Sequence, residues 1–474
     1  MILRKPKENI YMFSKKVYRE RRQRLAKDVG EGIILFLGNS HSPMNYPDNF
    51  YPFRQDSSFL YFWGQDIPDL NAAIDIDTSR EIVFGDEISL EESVWSGAAP
   101  SLRSLCEKAA IGETAPAGQL QDFIREALKL NRPVHILPQY RAGNTLRMSC
   151  LLGMTPEAIM KAASPELIRA VVSQRSVKSD VEVEQIETAL DITCAMHRMA
   201  MQMSSPGKYE LEVVSAMESL AYSRGGSRMS YPTIFSVKGD ILHNQFHGNI
   251  MQKGDLAVND SGAESPMHYA SDITRTIPVG GKFSQKQKDI YGIVLAAQEQ
   301  AIASMRPGIE FREVHTLSCR ILTEGLQQIG LMKGDVDESV SLGAHALFQP
   351  AGLGHMIGLD VHDMEGLGED FVGYTDTITR STQFGTRNLR LARPLEAGFV
   401  VTVEPGIYFI SQLIDRWRAE KKFHQFIDYE NVEAFKGFGG VRIEDNVLVI
   451  EDGSRILGKP IPKSIEDVEA LASL

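Results

Sequence analysis

Three apolar, strand-like segments in the second half of this 474-residue chain end in acidic side chains, and this constrains the fold more than any other feature. Side chains alternate between the two faces of a strand. Asp255-Leu-Ala-Val-Asn-Asp260 therefore sets Leu256, Val258 and Asp260 on one face, and Phe399-Val-Val-Thr-Val-Glu404 sets Thr402 beside Glu404. In Val441-Arg-Ile-Glu444, Arg442 and Glu444 share the face opposite Val441 and Ile443. A carboxylate at the end of an apolar strand is costly to bury unless something offsets its desolvation. Asp272 in YASDITRT and His355 in GLGHMIGLDVHD add to these acids in Gly-rich surroundings, which suggests a metal. Asp260, Asp272, His355, Glu404 and Glu444 are four carboxylates and one imidazole, a hard, oxygen-rich set. It suits a pair of Mn²⁺, Co²⁺, Fe²⁺ or Zn²⁺ ions better than a structural zinc. Carboxylates on strands also form structural ion pairs, and spacing by itself leaves that reading open.

Composition narrows the rest. At 43 % hydrophobic and 24 % charged residues the chain is neither disordered nor collagen-like, and its length suits two to three domains. A net charge of −12 argues against an open nucleic-acid surface, which needs clustered Lys and Arg. Cys106, Cys150, Cys194 and Cys319 are too few and scattered for a disulfide framework or a cysteine-based zinc site, so reduced, mostly buried thiols are expected. No apolar run approaches the roughly 18 residues of a membrane span. The basic N-terminal stretch lacks the apolar core of a signal peptide, so a cytoplasmic protein is expected.

The first 170 or so residues read as an α/β unit, with Gly32–Gly38 and Ala72–Asp77 as strands. The chain turns polar near Arg175, and a domain boundary is expected at about 173, dividing residues 1–172 from 173–474. A long helix then follows, capped by Ser179, with Val183, Ile186, Leu190, Cys194, His197 and Met201 at helical spacing. A second helix opens at Ser284, where Gln287 completes a capping box, and runs towards Arg306-Pro-Gly308. His41, His135, His197, His315 and His424 are expected to be ordinary core or surface histidines.

Five motifs in order, ILHN, DSGAE…YASDITRT, GLGH…GLDVHD, TVEPGIY and GFGGVRIED, carry a specific resemblance. From about residue 175 to 453 the chain resembles the catalytic domain of the proline-specific metallopeptidases, aminopeptidase P and prolidase, which share the pita-bread fold with methionine aminopeptidase. The segment Tyr51–Phe59 (YPFRQDSSF) more loosely resembles their N-terminal α/β domain. The resemblance implies an α+β protein with a smaller N-terminal α/β domain and a pita-bread catalytic domain. It implies two divalent metal ions, Mn²⁺ before Co²⁺, Zn²⁺ or Fe²⁺. Asp260 would bind one, Asp272 and Glu444 would bridge both, and His355 and Glu404 would hold the other. The bridging water would become the attacking hydroxide, with Glu404 passing its proton to the leaving nitrogen. His243 and His362 match the two substrate-facing histidines of the family.

An Xaa-Pro bond has no N–H to donate to a strand-like cleft, so a site for it must grip the ring by shape. Tyr408, four residues past Glu404, is a candidate contact, and Arg442 is expected to orient Glu444 or bind the peptide. Arg390 in RNLRLARPLEAG matches the arginine with which prolidases hold a C-terminal carboxylate, and the long insert between Tyr408 and Gly437 also resembles prolidase. The YPFRQDSSF segment leans towards aminopeptidase P. The implied substrate is a dipeptide or short peptide with proline second, the dipeptide slightly favoured. Family members are commonly dimers or tetramers, so a homodimer or homotetramer is expected. Trp95 in VWSG resembles a tryptophan that closes a neighbouring subunit's site, with a buried structural Trp as the alternative. Two departures stand out. Ala351 replaces a usual histidine ahead of GLDVHD, and the Asp260–Asp272 spacing is one residue longer than the commonest form, as a loop insertion bending at Pro266 would allow. Some pita-bread proteins have lost their metals and only bind partners; the complete ligand set here argues against that role.

Overall fold

The computed structural model describes residues 12–97, 99–226 and 228–473; the first eleven residues of the basic N-terminal stretch lie outside them. The described chain forms two compact units. The first runs to Arg175 and takes in Glu365–Phe371, and the second holds the remainder.

In the first unit, β1 (Ile33–Leu37), β2 (Asn71–Asp75), β3 (Arg80–Phe84), β4 (Glu113–Ala115) and β5 (Val134–Ile136) form one sheet of order β4-β3-β2-β1-β5. The inner pairs are antiparallel, and the outer pairs β3–β4 and β1–β5 are parallel. All five residues of β1 are buried because both faces of the sheet are covered, which is why that segment reads as a continuous apolar run. Ile33, Leu35 and Leu37 pack with Ile124 and Met148, while Phe36 meets Phe62 at 5.4 Å between ring centres. The second expected strand ends two residues early, at Asp75. Asp77 lies beyond it and accepts from Gly32 N (3.0 Å) and Arg132 Nε (2.7 Å). The YPFRQDSSF segment is a structural device. The buried Gln55 side chain accepts from Asn39 N at 2.6 Å and donates to Ile67 O at 2.8 Å, and Asp56 caps the helix Ser57–Trp63 through Phe59 N.

The second unit mixes helices with three small antiparallel sheets. One has the order β6 (Ile234–Ser236), β7 (Leu256–Asp260), β8 (Thr274–Pro278), and the others involve β9 (Val400–Val403), β10 (Gly406–Tyr408), β11 (Gly440–Arg442), β12 (Asp445–Ile450) and β13 (Gly453–Ile456). The helix Asp180–Met203 starts where Glu182 accepts from Ser179 N and Oγ, and its six expected inward positions are all buried. The helix Gln285–Ser304 carries the expected Ser284–Gln287 capping box.

One strand expectation is corrected. The segment Val441–Glu444 is not continuous, because β11 stops at Arg442 and β12 starts at Asp445. Its partner is interrupted in step: Asp445 pairs with Val403 and Arg442 with Gly406, leaving residues 404–405 opposite 443–444. Pro405 has no N–H to continue a ladder, and a strand proline belongs at such a break. Glu404 and Glu444 both sit in this interruption. The strands β7, β9 and β11 are also buried along their whole length, so none shows the one-sided burial that alternation suggests.

Candidate metal centre

The interruption brings two carboxylates inside, and the β7–β8 connection brings two more. Asp260 ends β7, opposite Thr274, and Asp272 stands just before β8. The connecting loop is held by Ser261 N to Ile273 O (3.1 Å) and Ser271 N to Ala263 O (3.2 Å), and it turns at Pro266, where His268 N returns to Ser265 O. Gly262 is required in it, since a Cβ there would lie 1.8 Å from Ser271 O. His355 is pinned to β9 by Thr402 Oγ1, which accepts from His355 N at 3.0 Å, and by Thr402 N donating to His355 O at 2.9 Å. Gly354 permits that approach, because its Cβ would fall 2.0 Å from Thr402 O.

The side chains converge. His355 Nε2 lies 3.4 Å from Asp272 Oδ2 and 3.6 Å from Glu404 Oε1. Ligand atoms of Asp272, His355 and Glu444 all fall within 4.8 Å of one another. The Tyr231 hydroxyl stands 2.6 Å from Asp260 Oδ1 and 2.5 Å from Asp272 Oδ1, joining the two aspartates. Glu444, only 1 % exposed, accepts from Thr274 Oγ1 at 2.7 Å through Oε2, while its Oε1 is buried with no partner among the described residues.

The electrostatics of this cluster are those of acids short of cations. Burial, reinforced by the charges of Asp272, Glu404 and Asp260, holds Glu444 well above the usual carboxylate range. Burial likewise raises Asp260, despite Arg442, and pushes Glu404 up to about 7. Burial would raise Asp272 too, but the hydrogen bond and charge of His355, with the Tyr231 hydroxyl and the charge of His362, together outweigh it and the carboxyl is lowered. His355 shifts the other way: burial disfavours its cation, and the bond to Asp272 with the charge of Glu404 outweighs this and raises it. An orphaned buried oxygen in a crowd of carboxylates is what a divalent cation would satisfy, so the donor set fits such ions.

The remaining expected residues are distributed as follows. His362 packs edge-on against His355, 4.3 Å between ring centres. His243 is exposed in the segment between β6 and β7 and makes no hydrogen bond or ring contact among the described residues. Arg390 is half-buried just past the short turn Thr386–Asn388. Arg442 does not pair directly with Glu444. Its guanidinium grips Asp260 and donates from Nη1 to Tyr408 OH at 2.9 Å and from Nε to Thr274 Oγ1 at 3.0 Å, and that threonine in turn donates to Glu444. Tyr408 is buried, and its hydroxyl accepts from Arg442. Trp95 is 86 % exposed on the helix Leu90–Ser96, which removes the buried structural alternative. Of the four unpaired cysteines, Cys150 alone is exposed. His197 is a core residue, with Nε2 3.0 Å from Ser261 O. Tyr231 was not foreseen, because nothing in its local sequence, SYPTIF, marks a tyrosine that spans two aspartates 29 and 41 residues away.

A buried interior that gathers four carboxylates and a histidine in this way fits a metal-dependent enzyme. The chain belongs to metallopeptidase family M24, whose model matches residues 184–451, and the aminopeptidase P N-terminal domain matches residues 18–136. It is 34 % identical to human Xaa-Pro dipeptidase over 460 residues, covering 94 % of this chain and 90 % of that protein. It is 32 % identical to Xaa-Pro aminopeptidase of Haemophilus influenzae over 465 residues, with 96 % and 97 % covered. Escherichia coli aminopeptidase P, solved with the inhibitor Pro-Leu, superposes with a TM-score of 0.79 at 28 % identity over 97 % of this chain and 98 % of that one. The architecture is thus the pita-bread fold behind an aminopeptidase P-type N-terminal domain, and the family implies divalent metal ions.

Proposed function

We propose that this metallopeptidase hydrolyses the bond before proline in dipeptides, using two Mn²⁺ ions held by Asp260, Asp272, His355, Glu404 and Glu444. The observation that carries the metal reading is the buried Oε1 of Glu444, without a partner among the described residues and surrounded by three further carboxylates. When bound, two such cations supply an acidified water and a Lewis-acid hold on the scissile carbonyl. The chain's own groups would do the rest. Glu404 would take the proton of the attacking water and return it to the leaving nitrogen. Arg442 and Tyr231 hold Asp260, Thr274 orients Glu444, and Met356 O, 3.0 Å from His355 Nδ1, fixes that ring so that Nε2 faces the carboxylates. His362, packed on His355, and His243 would hold the substrate.

Dipeptide preference rests on Arg390 as the partner of a C-terminal proline carboxylate and on the likeness to human Xaa-Pro dipeptidase. The likeness to aminopeptidase P supports the second reading, removal of an N-terminal residue before proline from longer peptides. Cytoplasmic residence accords with the unpaired cysteines, and assembly into a dimer or tetramer with the exposed Trp95.

Hydrolysis of Gly-Pro and Ala-Pro beside Ala-Pro-Ala, by metal-stripped protein resupplied with Mn²⁺, tests the reading. Cleavage of the dipeptides alone supports it and the role of Arg390. Cleavage of the tripeptide alone, or of all three at comparable rates, removes the dipeptide preference. Inactivity towards all three with metal bound overturns the proline reading.

A further inference from the structure

A second buried cluster in the same unit has a different chemistry. His315 and Cys319 lie one turn apart on the helix Phe311–Gln328 and so face the same way. His345 comes from the 3₁₀ turn Ala344–Leu347, and one ligand atom from each of the three falls within 4.8 Å of the others. The Cys319 sulfur stands 3.6 Å from His315 Nε2. That is close to the ~3.6 Å that a sulfur at ~2.3 Å and a nitrogen at ~2.05 Å subtend across one tetrahedral zinc ion. His345 is 4 % exposed, and its Nδ1 has no partner among the described residues. All three line a cavity of about 320 Å³ whose wall includes the exposed Asp337, so an ion has a route in.

We propose that His315, Cys319 and His345 form a nitrogen-and-sulfur metal site for a borderline cation of the zinc class, separate from the oxygen-rich centre. Two imidazoles and a thiolate select for Zn²⁺ over the harder cations that carboxylates prefer, and solvent in the cavity supplies the fourth position. Binding replaces the Cys319 proton, which is released to water as the S–metal bond forms. Burial pushes the free thiol up to about 12, so the metal itself must displace that proton. Burial also takes His315 down to about 3 and His345 to about 4, leaving both rings neutral with a lone pair to donate. The ion would tie the helix Phe311–Gln328 to the segment that leads through Phe348, whose carbonyl accepts from Tyr408 N, towards His355.

The full chain, stripped with chelator and titrated with Co²⁺, tests this. The carboxylate centre contains no sulfur, so a thiolate-to-cobalt charge-transfer band in the near ultraviolet that persists in Cys150→Ser reports on this cluster. The expected result is a band whose plateau accounts for one equivalent of thiolate-bound Co²⁺ per chain, and which is displaced by Zn²⁺ and absent in Cys319→Ser. His345→Ala should weaken that equivalent at least ~10-fold, by comparison with the 10–100-fold that even outer-shell changes cost. A folded wild-type protein that saturates with Co²⁺ and shows no sulfur band overturns the proposal, as does an undiminished band in Cys319→Ser. Cys319 would then be only the hydrogen-bond partner of His315. Should Cys319→Ser fail to fold, the wild-type band and His345→Ala decide.

Discussion

Glu444 and Asp445 are neighbours in the chain, both buried, and their surroundings have opposite electrostatics. Asp445 is fully answered by the protein's own cations. Its Oδ1 accepts from Arg275 Nη2 at 2.7 Å, and its Oδ2 from Lys463 Nζ at 2.9 Å and Gln298 Nε2 at 2.8 Å. Burial would raise its pKa, but Arg275 and Lys463 outweigh that and hold it below the ordinary range. Glu444 faces three carboxylates and has an oxygen with no partner among the described residues. The contrast separates an ion pair that holds a fold together from an acid kept for an external cation. Breaking a satisfied buried pair strands a charge, whereas neutralising a frustrated acid relieves one.

The largest effect expected from this contrast is on Asp445. Asp445→Asn strands the Arg275 guanidinium in the interior and should lower folding stability by about 3–5 kcal/mol, seen in denaturant titration of metal-loaded protein. A loss below ~1 kcal/mol would erase the distinction.

Glu444→Gln should do the reverse. It should weaken metal binding and kcat/KM by on the order of 100-fold, since even partners of metal ligands are worth 10–100-fold. The metal-free chain should meanwhile be no less stable. Calorimetric metal titration with a parallel melt measures both, and wild-type affinity would exclude Glu444 as a ligand.

The pH dependence of metal-free stability sharpens the comparison. Glu404 titrates near 7 in the folded chain, above its ordinary 4.5, so its contribution is present below 4.5 and lost as pH rises through about 7. Asp445, lowered from 3.8, contributes above that value and loses its contribution as pH falls through its folded pKa. Chelator-treated protein should therefore melt at falling temperatures from pH 5 to 8, and metal should abolish the fall. A flat profile would mean that the acids are already neutralised within the protein. The smallest effect is at Ala351. Ala351→His should raise turnover by roughly fivefold, about the ~1 kcal/mol of one restored hydrogen bond; an unchanged rate would show that no such bond is missing.

Several features were legible from local chemistry. The strand β1, the capped helices Asp180–Met203 and Gln285–Ser304, and the bend at Pro266 follow from apolar runs, caps and turn residues, all short-range signals. Asp260, Glu404 and Glu444 stood out as acids at the ends of apolar segments, Asp272 and His355 by their Gly-rich surroundings, and the resemblance joined the five as a ligand set. Less accessible was the break that puts Glu404 opposite Glu444, since alternation along Val441–Glu444 assumes an unbroken strand.

Sequence by itself therefore determined the family, the two-unit order and the identity of the acidic cluster, through motifs whose meaning lies within a few residues. Tertiary structure alone decided the pairings. It gave Arg442 to Asp260, Arg275 to Asp445 and Tyr231 to two aspartates, and it left Oε1 of Glu444 without a partner among the described residues. It also brought His345 to His315 and Cys319. The physical reason is one of range. Strand and helix periodicity act over a few residues, whereas the partner of a buried charge is chosen by whichever group folding brings within about 3–4 Å, regardless of its distance along the chain.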